Sequence, residues 1–234
     1  MTPQQQRQVR LIFEGFLQRR FKAIRQLKLS DLDVNPFLIR VMRNEMGFET
    51  PRDIVRWLLQ QRLERGTVTS FGNTLQDVAK LFSDGTAVEG ADILKVKGGK
   101  RYHIQVKSGP NPTDSHLSTK TSELLQSAER RNRGSVALFA MCYGAPDRVS
   151  SVIKKYVKVD YLVGKQFWEF ISDDPRCMRE VYQIADEVSR TYKDQSGKTL
   201  KDVLAEKLEH LEEEFKQAYG HGPEMWDMLL ERNP

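Results

Sequence analysis

The stretch from Val88 to Lys107 constrains this chain more than any other, because it reads as a β-hairpin with polar groups gathered at its open end. Ile93, Leu94 and Val96 supply apolar, β-prone side chains, and Tyr102, Ile104 and Val106 alternate with polar residues on a second arm. Lys97-Gly98-Gly99-Lys100 is the turn, since two glycines take positive φ without a Cβ penalty. Side chains two apart share a strand face, so His103, Gln105 and Lys107 line one face and Tyr102, Ile104 and Val106 the other. Asp92 stands where the first arm begins. Folding at Gly98-Gly99 brings it near Gln105 and Lys107, so that a carboxylate, an amide oxygen and an ammonium converge.

This pattern resembles the active-site hairpin of PD-(D/E)XK nucleases. Gly90-Ala91-Asp92 stands at the "PD" position and Gln105-Val106-Lys107 at the "(D/E)XK" position, 105 − 92 = 13 residues on. Gln105 departs from the Asp or Glu of that pattern. Ser108-Gly109-Pro110-Asn111, Asn35-Pro36-Phe37-Leu38-Ile39-Arg40 and the run from Val163 to Phe170 are similar to segments of a subset of type II restriction endonucleases. The resemblance implies an active-site helix before the hairpin, with Gln76 where the family often carries Glu. Asp77, the nearest acid, points about 100° away around that helix. It further implies Mg²⁺ held by Asp92, the Gln105 amide oxygen and the Val106 backbone carbonyl. Asp92, Gln105, Lys107 and Gln76 then form the catalytic set, with Lys107 orienting or helping to deprotonate water. DNA contacts fall to Lys97, Lys100, Arg101, Ser108 and Asn111, and to Arg130, Arg131 and Arg133.

The rest of the chain supplies the surroundings. Residues 1–65 form an N-terminal helical region, with Val9, Ile12, Phe13, Phe16, Phe21 and Ile24 at helical spacing. Its basic side, from Arg7 to Lys28, is either a solvated face or a phosphate contact. Asn35 caps a helix that has Pro36 at its first position, and Thr50-Pro51 repeats the signal. Gly66 to Gly72 reads as a turn-rich connection, followed by a helix from Asn73 to Phe82 and a short first strand at 85–88. After the hairpin, Asp114 and Ser115 cap a helix reaching Arg131, which Gly134 stops. The apolar run from Ser135 to Tyr143 suits a strand buried on both faces, paired in parallel through the preceding crossover helix. Asp160–Val163 is a further strand, and Gly164 leads into a helix. Residues 66–171 thus make a nuclease core, and 172–234 a C-terminal helical region within one compact domain. Its last long helix, Leu200 to Tyr219, carries an apolar stripe of Leu204, Leu208, Leu211 and Phe215 opposite an acidic face of Glu206, Glu209, Glu212, Glu213 and Glu214. The stripe serves either as core cover or as a dimer surface.

Net charge narrows the partner. A value of +5 with pI near 9.1 fits a polyanion. Cys142 and Cys177 have no metal-type spacing and read as reduced thiols of a cytoplasmic protein. No run is apolar enough to span a membrane, and the first residues lack the apolar segment of a secretory leader. The four histidines are scattered, and His103 is either structural or near the site. The fold expected is a three-layer α/β/α core of restriction-endonuclease type, with a mixed central sheet and added N- and C-terminal helices. The function expected is sequence-specific cleavage of double-stranded DNA with Mg²⁺ by a homodimer. A cognate DNA methyltransferase is implied functionally, not as a bound subunit. The alternatives are a repair or recombination nuclease of the same fold, a non-cleaving sequence-specific DNA-binding protein, and a basic α/β protein without a nucleic-acid role.

Overall fold

The hairpin forms in the expected register. The structure is a computed structural model and describes residues 1–111 and 114–233. Strands β1 (Ile93–Lys97) and β2 (Lys100–Lys107) pair antiparallel, from Ile93 opposite Ile104 to Lys97 opposite Lys100. Gly98 and Gly99 sit at φ of 58° and 75°, the left-handed conformation the tight turn requires. Helix α4 (Ser115–Arg131) then crosses to β3 (Ser135–Met141), which runs parallel to β2. Asp114 caps α4 by accepting the Leu117 N–H at 2.8 Å. A second parallel step through α5 (Ser151–Tyr156) adds β4 (Asp160–Val163), giving the mixed sheet order β1-β2-β3-β4.

Helices cover both faces of this sheet. Residues opposite one another in register share a face, so Gln105 lies beside Phe139 and Lys107 beside Met141. Leu125 of α4, with Val149, Ile153 and Val157 around α5, buries that face. On the other face Tyr102 meets Phe170 of α6 (Lys165–Ser172) edge-on at 4.9 Å, and Phe82 meets Trp168 at 6.3 Å. The three-layer α/β/α expectation is therefore realised. Among the described residues no helix is long and apolar enough to cross a membrane.

Two expectations are corrected. Gly66 to Gly72 is not a turn, because α3 runs unbroken from Pro51 to Lys80. Each glycine costs a helix about 1 kcal/mol relative to Ala, and only Gly72 sits where bulk is limited. A Cβ on Gly66 would meet the Arg20 guanidinium at 3.6 Å, and one on Gly72 would lie 3.1 Å from Ser108. The hydroxyls of Thr67, Thr69 and Thr74 donate back to the carbonyls of Leu63, Arg65 and Ser70, so these residues satisfy themselves within the helix. Residues 85–88 form no strand either. Ser83 and Asp84 occupy the edge of β1 instead: Asp84 N–H donates to the Leu94 carbonyl at 2.8 Å, and the Asp84 carboxylate accepts the Val96 N–H at 2.7 Å. Side chains thus finish the edge that a further strand would have paired. Helix α5, announced by the Ser150 cap, is an element the sequence reading lacked.

By internal contacts the chain groups into two compact units, residues 1–14 with 70–190 and residues 15–69 with 191–234. The first holds the sheet, together with α7 (Cys177–Thr191). In the second, α2 (Pro36–Met46) starts at the predicted Asn35 cap, which accepts the Leu38 N–H at 3.0 Å. There α8 (Leu200–Tyr219) and α9 (Met225–Arg232) complete a core in which Leu211 and Phe215 pack with Ile39, Ile54, Val55 and Leu229. Part of the α8 stripe is therefore core. The face opposite is only partly solvated, since Glu212 pairs with Arg52 at 2.6 Å and Glu214 accepts the Leu29 N–H at 2.8 Å.

Gly90 gives the first prediction. It sits at φ +91°, and an added Cβ would lie 2.9 Å from Leu124 Cβ and 3.1 Å from backbone of α4. Gly90→Ala is expected to lower stability by about 2 kcal/mol, from backbone strain and overpacking together. Urea unfolding of the two proteins checks this, and an unchanged midpoint would contradict it.

Candidate active site

Asp92 continues the ladder that β1 leaves unfinished. Its N–H donates to the Ile104 carbonyl at 2.8 Å, one residue before β1 begins. Its carboxylate then does the work of a missing strand residue: Oδ2 accepts the Val106 N–H at 2.9 Å. The same oxygen accepts a hydrogen bond from Gln105 Nε2 at 2.5 Å. Asp92 is thus clamped from three directions. The Val106 carbonyl faces the same side as that of Ile104, because alternate residues of a strand aim their carbonyls alike. The oxygens that could hold a cation beside this contact are Asp92 Oδ1, Gln105 Oε1 and the Val106 carbonyl.

Lys107 closes β2 on the face that carries Gln105 and is half-buried. Its carbonyl accepts the Cys142 N–H at 2.9 Å, which ties the strand end to the residue following β3. Among the described residues no three His, Cys, Asp or Glu side chains cluster as a metal site. The donor set at Asp92 therefore has one formal charge and two neutral oxygens. Such a set fits a hard, oxygen-seeking dication whose shell is completed by water and phosphate.

Gln76 stands one helical turn after Gly72 on α3, and so shares the face whose close approach to Ser108 was described above. Its amide is half-buried. Asp77 points elsewhere, exposed and paired with Lys80 at 3.1 Å. Glu89 is 77% exposed and pairs with Arg131 at 3.2 Å.

The sheet separates the expected DNA contacts into two groups. Ser108 and Asn111 follow Lys107 at the carboxyl end of β2. Lys97, Lys100 and Arg101 sit at the hairpin turn, about 23 Å away at 3.3 Å per residue of β2. Arg130, Arg131 and Arg133 close α4 just before β3 begins at Ser135, opposite Arg101, and of these Arg131 reaches back to Glu89. Lys97 is also engaged, paired with Asp173 at 2.8 Å and lying over the Phe170 ring at 4.9 Å. Buried Lys95 pairs with Asp84 at 3.5 Å and with Asp173 at 3.1 Å. Hydrogen bonds from Lys97 and Lys95 hold the Asp173 carboxyl below the usual range.

The carboxyl edge of the parallel strands carries groups the sequence reading passed over. The loops after β2, β3 and β4 meet there almost backbone to backbone. A Cβ on Gly109 would fall 2.3 Å from the Tyr143 ring, and one on Gly164 would fall 2.5 Å from the Gly144 carbonyl oxygen. Tyr143 and Lys165 project from this edge. The available signal was topological, since parallel strands gather their following loops on one side. Cys142 contributes no thiolate: burial, with Asp92 second, pushes its thiol up to about 12. Its carbonyl accepts the Trp168 indole N–H at 2.7 Å.

His103 takes the structural role. It is 3% exposed, and neither ring nitrogen has a hydrogen-bond partner. Burial, and then the Arg101 charge, lower its pKa from 6.5.

A family model described as Type II restriction endonuclease EcoO109I matches residues 4–193. No curated protein matches the chain.

Because the folded pKa of His103 lies below the ordinary value, its neutral form favours the fold. That contribution is complete above pH 6.5 and is lost as the pH falls through the folded pKa. Urea stability of the wild type is therefore expected to drop on acidification below pH 6.5. His103→Leu, which removes two unpartnered nitrogens, should lessen that drop. Identical pH profiles for the two proteins would assign the titration elsewhere.

Proposed function

The chain belongs to the type II restriction endonuclease EcoO109I family, and from that premise we propose a Mg²⁺-dependent, site-specific deoxyribonuclease with a PD-(D/E)XK-type site in which Gln105 replaces the acid. The observation that carries this reading is the Asp92 carboxylate held between Gln105 Nε2 and the Val106 N–H, with Lys107 next on the same strand face. Magnesium would be held by Asp92, the Gln105 amide oxygen and the Val106 carbonyl. When bound it supplies positive charge to the reacting phosphate and acidity to water.

The chain's own groups have separable tasks. Asp92 provides the single formal negative charge, and its three hydrogen bonds fix its direction. Gln105 clamps Asp92 through its N–H while offering its oxygen outward, a combination that a carboxylate cannot make. Lys107 orients the attacking water and stabilises the negative charge that develops on the phosphate, so it acts more on the transition state than on bound DNA. Gln76 positions the substrate or its water through a neutral amide. Ser108 and Asn111 contact DNA beside the scissile bond. Two copies of the chain would cut the two strands, since a palindromic site and a two-fold dimer share symmetry. On this reading the protein acts in the cytoplasm, with a DNA methyltransferase of the same specificity as its functional counterpart.

A second reading has its own observation. Both Gln76 and Gln105 stand where the broader nuclease pattern carries acids, leaving one carboxylate at the donor set. On that reading the protein binds DNA without cutting it.

Cleavage assays across a Mg²⁺ series separate the two. With mixed-sequence DNA the wild type is expected to give discrete bands. A gel shift without cleavage would favour the binder, and smearing would favour a non-specific nuclease. Lys107→Ala is expected to lower cleavage at least about 100-fold while DNA affinity stays within a few-fold. Near-normal cleavage by that variant would remove the hairpin from the mechanism.

Gln105 yields a further expectation. Gln105→Glu should stay partly active with a lower Mg²⁺ requirement, because it adds charge to the metal set but repels phosphate, and Gln105→Ala should be much weaker. If the wild type is inert and Gln105→Glu with Gln76→Glu cuts, the binder reading is correct. Equal cleavage by wild type and Gln105→Ala would contradict both.

A further inference from the structure

The first unit carries a basic surface on α7 near the carboxyl edge of the parallel strands. A groove of about 820 Å³ runs along α7, lined by Lys165, Arg176, Arg179, Glu180, Tyr182 and Gln183 among others. Arg179, Tyr182 and Gln183 are three and four residues apart, so they share one helix face. Tyr182 is 75% exposed. Lys165 comes from another element but is rigidly placed, because Gly164 donates its N–H to the Met141 carbonyl at 2.9 Å and packs on Gly144.

The groove's charge is available. Its carboxylate, Glu180, already faces the Met1 ammonium at 3.0 Å and Arg176 at 4.0 Å. Arg176 also bonds Asp174 at 3.3 Å. Among the described residues no carboxylate pairs with Lys165 or Arg179.

The groove adjoins a second cavity at the carboxyl edge of the parallel strands. Tyr182 and Met178 line a second, apolar cavity of about 220 Å³ whose wall includes Trp168, Cys142 and Tyr143. Tyr143, 49% exposed, lies against Gly109, two residues after Lys107. Two exposed tyrosines and two uncompensated cations thus lie along the edge at which β2 ends.

We propose that this groove is a DNA-backbone contact surface, in which Lys165 and Arg179 neutralise phosphates and the Tyr182 hydroxyl donates to a phosphate oxygen. The proposal rests on the nuclease reading. It assigns the backbone grip on the active-site side to α6 and α7, not to the hairpin turn or the α4 terminus. Such contacts carry no base information. They fix the register of the duplex relative to Lys107.

The test uses the full chain and a fluorescent duplex of mixed sequence without divalent cation. Anisotropy is followed across a salt series for the wild type, Lys165→Gln/Arg179→Gln and Lys100→Gln/Arg101→Gln. Thermal melts confirm that each variant folds. The groove variant is expected to bind about tenfold more weakly near physiological salt, with a log–log salt slope smaller by about 2. The hairpin-turn variant should keep the wild-type slope, and Tyr182→Phe should weaken binding a few-fold. Unchanged affinity and slope in the groove variant would overturn the proposal while leaving the nuclease reading intact. So would a loss of slope confined to the hairpin-turn variant. A wild type with no salt-dependent duplex binding would overturn both.

Discussion

One hydrogen bond organises the candidate site, the Val106 N–H donated to Asp92 Oδ2 at 2.9 Å. β1 is only five residues long and ends before β2 does. Backbone groups of β2 beyond that point need other partners or water. Asp92 meets the first of these needs with its side chain, and so the carboxylate is positioned by the sheet itself. Its direction is set by the backbone ladder, which is more rigid than a rotamer on a loop. Gly90 belongs to the same device, because only a residue without Cβ lets the chain pass α4 and enter β1 at this height.

The glutamine at position 105 changes the electrostatics of this arrangement. Two carboxylates about 4 Å apart repel by about 4 kcal/mol at an effective dielectric of 20. An amide replaces that repulsion with a hydrogen bond to a charged acceptor, worth about 1.5–3 kcal/mol. The pair is therefore stable before any cation arrives, and the attraction for a cation is correspondingly reduced. A site of this kind depends more on phosphate and water oxygens to complete a metal shell than one with two acids. Lys107 then carries a larger share of the local positive charge.

The carboxyl edge of the parallel strands is the second organising constraint. Gly109 and Gly164 let consecutive loops pack at distances no unshifted Cβ would tolerate. That packing fixes the strand end bearing Lys107, the ring of Tyr143 and the start of α6 relative to one another. The edge at the hairpin turn is built differently, with Lys95 and Lys97 committed to Asp84 and Asp173. Equal basicity in the sequence thus corresponds to unequal availability in the fold.

The sequence by itself determined the hairpin, its turn, the face shared by Gln105 and Lys107, the buried β3 and its crossover helix, and the Asn35 and Asp114 caps. All of these rest on period-two alternation, glycine's positive φ or a side-chain cap, which are local properties of the chain. The continuity of α3 was hidden, because Gly66 and Gly72 look like turn residues until the close packing of Gly72 on Ser108 is known. The edge made by Ser83 and Asp84 was hidden for a similar reason, since a side chain replacing a strand leaves no periodicity. Tertiary structure alone decided which basic residues stand near Asp92. Lys100 and Lys107 are seven positions apart on one strand yet lie at opposite ends of the sheet, whereas Lys107, Tyr143 and Lys165 share an edge because parallel strands end together.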